Sequence, residues 1–254
     1  ARRAGRILAP FQNNRYQPFF VELLRIVRSG ILGELVEVRS LWGGFGRRWD
    51  WQTFQCNYGG CLFNTGPHAV DQALQFFAPD ATPAVSAVLQ CHNLLGGDAD
   101  DYCAVVLTAP GAPRVELIIT QYEGFPAKDM YVVNGTRGSL TGNWDALRWK
   151  YYDWDQAPPQ PVWRPWSLDR NYPNEKLPWQ EGVWRLDQNT AGNAVGYTLR
   201  SFAQGVGYIY DGLYQALTGT GTLTVTLPEV RRQIAVIEEC HRQNPLPRKV
   251  DRWP

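Results

Sequence analysis

Gly59-Gly-Cys-Leu-Phe-Asn-Thr-Gly-Pro-His-Ala-Val-Asp-Gln-Ala-Leu74 is the stretch whose reading decides the fold. Wound as a helix, it sets Asn64, His68 and Asp71 on one face, four and then three residues apart, where they can converge on a common pocket. Leu62, Ala69, Val70, Ala73 and Leu74 supply the apolar stripe that buries such a helix. The leading pair Gly59 and Gly60 allows close backbone approach to something large and flat, as a ligand would be. Pro67 leaves two possibilities, because its ring clashes with the carbonyl four residues back. Either the helix proper begins at Pro67 with Asn64 or Thr65 as its cap, or a longer helix is distorted there. A lone histidine on a helix can equally be a structural residue, and spacing alone does not choose.

Composition narrows the field. The chain has 254 residues, 44% hydrophobic and 19% charged, which are globular values with enough length for one large domain or two small ones. A formal net charge of +1 gives no electrostatic basis for binding nucleic acid or an anionic membrane. No apolar run approaches the roughly 20 residues that a membrane helix needs, and no secretory signal is evident. Cys56, Cys61, Cys91, Cys103 and Cys240 are odd in number and lack Cys-x-x-Cys spacing, so they read as free thiols of a reducing, cytoplasmic setting. The neighbours Cys91-His92 and Cys240-His241 are too sparse to predict a metal site. Eleven tryptophans and 12 tyrosines, many of them between Trp144 and Trp184, suit a core, an interface or a carbohydrate-facing surface.

Outward from the central stretch, Ala-Arg-Arg-Ala-Gly5 looks like a helix end with its glycine stop, and Arg6 to Gln12 like a short strand. Residues 1–14 thus read as the tail of another domain, and residues 15–254 as a domain of their own. Tyr16 to Ser29 is an amphipathic helix closed by Gly30, and Leu35 to Leu41 alternates as a strand. Trp42 to Tyr58 is irregular and carries Trp49, Asp50 and Gln52. Beyond Ala78-Pro-Asp80 the period becomes two: Ala84–His92, Tyr102–Ala109, Arg114–Tyr122 and Met130–Val133 are strand candidates, with a further hairpin from Gly135 to Trp154. Short turns between them predict antiparallel pairing, hence an α+β domain whose open, predominantly antiparallel sheet has helices on one face. Gln156 to Asn193 reads as an ordered excursion without regular strands. Thr198 to Leu217 and Pro228 to Gln243 are helical. There is no Gly-x-Gly-x-x-Gly and no phosphate loop.

The central stretch resembles the Gly-Gly-Gly-x-Leu-x-Asp-x-Gly-x-His-x-x-Asp segment of the Gfo/Idh/MocA family, relatives of glucose-fructose oxidoreductase and inositol dehydrogenase. Gly59, Gly60, Leu62, Gly66, His68 and Asp71 match it, while Asn64 stands where the family has aspartate. The turn Ser29-Gly-Ile-Leu-Gly-Glu-Leu-Val-Glu-Val38 and the closing Pro228-Glu-Val-Arg-Arg232 are similar to the family too, and the likeness is firmest at residues 5–40, 59–77 and 196–242.

That resemblance implies a C-terminal domain only: residues 1–14 correspond to the last strand of an N-terminal Rossmann domain, whose Glu-Lys-Pro lysine would lie before Ala1. It implies NAD or NADP, bound mainly by that other domain, and a sugar or polyol substrate. His68 would be the general base, since its unperturbed pKa of about 6.5 suits proton removal from an alcohol. Asn64 can hold a substrate hydroxyl but cannot supply the charge that raises a histidine's basicity. Asn13, Asn14 and Arg15 fall at the seam between the domains and, with Trp49, Asp50, Gln52 and Asp71, are candidate substrate contacts, although an aspartate at the place of Asp71 is more often a structural partner of backbone or an arginine. By itself the fragment would be inactive. Two further readings stand beside the enzyme: a non-catalytic relative that senses a ligand or binds a protein, for which Asn64 is the motive, and a homo-oligomerisation domain, dimer or tetramer, joined through an apolar and aromatic open sheet.

Overall fold

The computed structural model describes residues 1–125, 128–159, 176–186 and 199–250. Helix α1 (Pro18–Arg28) starts with proline at its first turn, where no amide is needed, and buries Phe19, Phe20, Leu23, Leu24 and Ile26. Gly30, at φ +76°, turns the chain out of it. Strand β1 (Leu35–Gly43) follows, then two 3-10 turns, Trp51–Thr53 and Gln55–Asn57. Helices α2 (Cys61–Asn64) and α3 (Gly66–Ala73) come next, extended by a 3-10 turn over Leu74–Phe76. Seven strands succeed them: β2 (Ala84–Gln90), β3 (Tyr102–Thr108), β4 (Arg114–Thr120), β5 (Tyr131–Gly135), β6 (Gly138–Gly142), β7 (Ala146–Tyr152) and β8 (Trp179–Arg185). Helices α4 (Leu199–Thr218) and α5 (Leu227–Gln243) close the chain.

The strands form one sheet in the order β2-β3-β4-β1-β5-β6-β7-β8. Pairing is antiparallel everywhere but at its centre, where β1 lies parallel to β4 with Val38 opposite Val115 and Leu41 opposite Ile118. The sheet is therefore open and mixed, as an α+β domain of this kind predicts. Its parallel pair involves β1 and β4, which are separated in sequence by the long α2–α3–β2–β3 excursion, whereas β3–β4, β5–β6 and β6–β7 are consecutive strands joined by short turns. Among the described residues Arg6–Gln12 has no partner in this sheet. One expectation needs correction. Trp179–Arg185, placed inside the irregular excursion, is strand β8, paired with β7 from Ala146–Arg185 to Tyr152–Trp179; the remainder of that excursion lies outside the described residues.

One face of the sheet carries the core. Val38, Cys103, Val105, Leu107, Val115, Leu117, Ile119, Tyr131, Val133, Leu140 and Leu147 alternate inward and meet α1, α3 and α5. The other face is open. Across its centre Arg39 stands opposite Glu116 and Val132, and Leu41 opposite Ile118, so it mixes apolar with charged residues rather than being apolar and aromatic. The outer edge at β2 is blunted: Gln243 Nε2 donates to the Val85 carbonyl at 2.7 Å, Ala87 N–H donates to Gln243 Oε1 at 3.0 Å, and Asn244 Nδ2 donates to the Ala87 carbonyl at 3.0 Å. Those groups would otherwise invite another strand.

Phe20 fixes α1 to both the sheet and the 3-10 turn after α3, edge-on to Phe76 and tilted against Tyr131 at 5.9 Å. Phe20→Ala is expected to cost about 3–5 kcal/mol of unfolding free energy, read from urea denaturation. A loss below about 1 kcal/mol would mean that the helix is not seated there.

Candidate functional site

The site is assembled from three segments far apart in sequence: the 3-10 turn Asn13–Tyr16 with Gln12 before it, helix α3, and the first turns of α5. Helix α3 lies close against the sheet because Gly66 leaves room for Leu62 and Ile119. Pro67, which has no amide to donate, divides the helical stretch: α2 ends at Asn64, Thr65 stays right-handed helical at φ −89° and ψ −32°, and α3 resumes at Gly66. Thr65 is the cap position of α3, but its side chain accepts no capping bond. The distorted long helix is thus the alternative that the chain adopts.

Along this stretch the three spaced residues run from solvent to core. Asn64 is exposed, His68 is half-buried and Asp71 is 2% exposed. His68 Nδ1 sits 3.2 Å from Gln12 Oε1, and Gln12 Nε2 donates to Gln233 Oε1 at 2.8 Å. Asp71 receives both prongs of Arg15, Nε to Oδ2 at 2.9 Å and Nη2 to Oδ1 at 2.5 Å. The third guanidinium nitrogen reaches Glu229 Oε1 at 2.5 Å. Glu229 is itself tied into the capping box of α5, accepting from the Thr226 N–H while Thr226 Oγ1 accepts from the Glu229 N–H. Beside this ion pair, Gln72 Nε2 donates to the Asn14 carbonyl at 2.6 Å and the Tyr131 hydroxyl donates to Gln72 Oε1 at 2.7 Å.

These contacts say what each candidate is free to do. Asn13, Asn14 and Arg15 are all buried. Gly205 of α4 comes close to the Asn13 carbonyl, Asn14 holds Gln72 and Gln17, and Arg15 is committed to two carboxylates. A cleft of about 180 Å³ is lined by Arg15 and Asp71 together with Arg28, Gln75 and Arg232. Trp49 is 82% exposed, and Asp50 is paired with Arg48 at 2.6 Å while accepting from the Gln52 N–H at 2.9 Å. Among the described residues no hydrogen bond joins Trp49, Asp50 or Gln52 to His68; they belong to the loop that leads into α2. Gly59 and Gly60 come close to the protein itself rather than to an open space. A side chain at Gly59 would strike the Gln52 and Phe54 carbonyls, and one at Gly60, where φ is +106°, the Asp100 carboxyl group.

Asp100 is a residue that the sequence reading missed. Its buried carboxyl accepts from Leu62 N–H at 2.8 Å and the Cys61 thiol at 3.0 Å, which fixes where α2 begins. Asp98 and Asp101 act likewise on Gln55 N–H and on His92 and Leu94 N–H. Gln12, Gln72, Tyr131, Glu229 and Gln233 were missed too. Only Glu229 had a local signal, the Thr226-Leu-Pro-Glu capping pattern; the others are visible only once the segments meet. Among the described residues no group of three or more His, Cys, Asp or Glu side chains could hold a metal, and no helix is long and apolar enough to cross a membrane. Burial pushes Cys240 up to about 12 and Cys61 and Cys103 higher, so these thiols stay protonated.

Burial also lowers the His68 pKa, with the Asp71 charge opposing it weakly. Burial raises that of Asp71, against the pull of Arg15. Glu229 is lowered, since the Thr226 bonds and Arg15 outweigh its own burial.

Residues 20–141 match the GFO/IDH/MocA C-terminal domain family. An uncharacterized oxidoreductase of Escherichia coli, YdgJ, is 29% identical over 141 residues, 55% of this chain and 39% of that protein. An uncharacterized oxidoreductase of Schizosaccharomyces pombe, C115.03, is 28% identical over 143 residues, 53% of this chain and 38% of that protein. The matched stretch thus spans under half the length of these curated relatives. Among solved structures, an NAD-binding protein from Listeria innocua superimposes with a TM-score of 0.69 at 21% identity, covering 98% of this chain and 69% of that one. An oxidoreductase from Agrobacterium radiobacter, solved with NAD+, L-tartaric acid and magnesium, gives 0.63 at 13% identity over 97% of this chain and 66% of that one. These structural likenesses establish the fold.

A depressed histidine carries a definite sign. With its folded pKa below the unfolded value, His68 stabilises the fold fully above about pH 6.5, and this contribution is lost as pH falls through the folded midpoint. The difference in unfolding free energy between the wild type and His68→Gln is expected to shrink on acidification from neutral pH, in urea titrations at a series of pH values. A difference that is flat, or that grows toward acid, would contradict the assignment.

Proposed function

We propose that this chain, whose residues 20–141 form a GFO/IDH/MocA C-terminal domain, is the substrate side of a nicotinamide-dependent oxidoreductase acting on a sugar, polyol or related hydroxy compound. The observation that carries the reading is His68: half-buried, held neutral by its surroundings and bonded at one nitrogen, so that the other can exchange a proton. Alcohol oxidation requires that proton to leave oxygen as a hydride leaves carbon. The relatives named as oxidoreductases and the neighbour solved with NAD+ support a nicotinamide as hydride acceptor.

The described residues do not fit a dinucleotide site. The sequence has no glycine-rich strand-to-helix turn, and Asn13, Asn14 and Arg15 are buried and engaged. We propose that the cofactor, NAD or NADP, is held mainly by a separate nucleotide-binding domain, where it would accept hydride. This chain's own share is the proton. His68 takes it from the substrate hydroxyl in oxidation and returns it in reduction. In this reading Asn64, exposed one turn earlier, would bond a second hydroxyl, and the aromatic loop carrying Trp49 would offer flat faces to CH patches.

The test joins the natural upstream segment and follows NAD+ and NADP+ reduction across sugars and polyols. His68→Ala should lower kcat/KM about 100-fold or more; undiminished turnover would remove His68 from the chemistry. Association into a dimer or tetramer is proposed through the open face, where the complementary pair Arg39 and Glu116 flanks apolar Leu41 and Ile118. Leu41→Glu should reduce the sedimenting mass of the full-length protein, and an unchanged mass would place the contact elsewhere.

A further inference from the structure

His68 is held at Nδ1 by a side chain that is itself held. Gln12 is 7% exposed and Gln233 is 1% exposed, so no bulk water competes for their amides. Gln12 Nε2 donates to Gln233 Oε1 at 2.8 Å, which turns Gln12 Oε1 toward His68 Nδ1 at 3.2 Å. A carbonyl oxygen can only accept, so the proton between them belongs to the imidazole. Turning the Gln12 amide round by itself would set oxygen against oxygen at Gln233; only a joint turn of both amides would present Gln12 Nε2 to Nδ1 and call for the opposite tautomer.

We infer that Gln12 and Gln233 are positioning residues that fix neutral His68 in its Nδ1–H tautomer, leaving the Nε2 lone pair as its only basic site. The pair does without charge what a carboxylate does for a catalytic histidine: it orients the ring, selects the tautomer and continues to accept from Nδ1 once Nε2 is protonated. Its chain is unusual in origin, because one amide comes from the segment before α1, the other from α5, and the imidazole from α3. Three elements must dock before the tautomer is defined. The catalytic meaning of this assignment rests on the proposed role of His68, whereas the tautomer itself does not.

The experiment uses 15N-histidine-labelled protein and long-range 1H–15N correlation spectra near neutral pH. His68 is identified among the three histidines by the loss of its signals in His68→Gln. The expected result is a pyrrole-type Nδ1 and a pyridine-type Nε2 in a single species. Gln12→Met keeps the length of the side chain and removes the acceptor, and His68 should then shift toward the Nε2–H form that free imidazole side chains favour. In the full-length protein the same variant should lower kcat about 10- to 100-fold, with Gln12→Glu recovering part of it. A pyridine-type Nδ1 in the wild type overturns the inference, as does a spectrum that Gln12→Met leaves unchanged. If Gln12→Met does not fold, the wild-type spectrum decides alone. Full activity in His68→Ala alongside the expected spectrum would reject the catalytic reading and leave the tautomer standing.

Discussion

The buried guanidinium of Arg15 is the interaction on which the site depends. Removing such a charge from water costs several kcal/mol, recovered only when its donors are met in good geometry. Here all three nitrogens find carboxylate oxygens, two on Asp71 and one on Glu229. The planar fork accepts few orientations, so it sets the angle between the 3-10 turn, α3 and α5 as well as holding them together. Gln12 lies three residues before Arg15 and His68 three before Asp71, so their meeting follows from the same lock. An apolar substitute could bind the three elements as firmly, yet it would not fix their rotation.

A second constraint comes from the other end of the helical stretch. The chain enters α2 through Gly60 at φ +106°, with the Asp100 carboxyl group where a side chain would stand. Asp100 then serves the amide of Leu62, one of the unpaired donors at a helix start. Asp98 and Asp101 bind backbone amides of the neighbouring loops in the same manner. Acidic residues thus organise irregular backbone here, and the two glycines let it pack tightly. The Gly-Gly pair is better explained by this internal fit than by clearance for a ligand.

How much of this could be read from the amino acids follows the range of each interaction. The period-two strands and amphipathic α1 and α5 announce themselves because one buried face forces a local repeat. Strand β8 did not, since Trp-Gln-Glu-Gly-Val-Trp-Arg lies at the end of the sheet and is mostly exposed, so nothing imposes alternation on it. The parallel β1–β4 pair was hidden for a related reason: turn chemistry reports only on strands that are consecutive. In the candidate site, the helical spacing of His68 and Asp71 was legible, as was an arginine partner for Asp71, which the structure supplies as Arg15. The glutamines that hold His68 were not. Gln12 and Gln233 are separated by 221 positions, and a glutamine facing the core leaves no mark in sequence until the elements dock.

The surroundings of His68 also bear on Asn64, which stands where the family carries aspartate. The carboxylate whose charge acts on it, Asp71, is paired with Arg15, and the group at Nδ1 is an uncharged amide. Burial therefore outweighs charge in setting the imidazole, which is why its pKa falls. A carboxylate at position 64 would act in the opposite sense, strengthening the base while holding more of it protonated near neutrality. With asparagine the histidine is a weaker base but is already in the form that can accept a proton. In the proposed role of His68, that exchange trades base strength for a larger deprotonated share near neutrality, and it makes the geometry imposed through Arg15 matter more, because no nearby charge compensates for a misplaced ring.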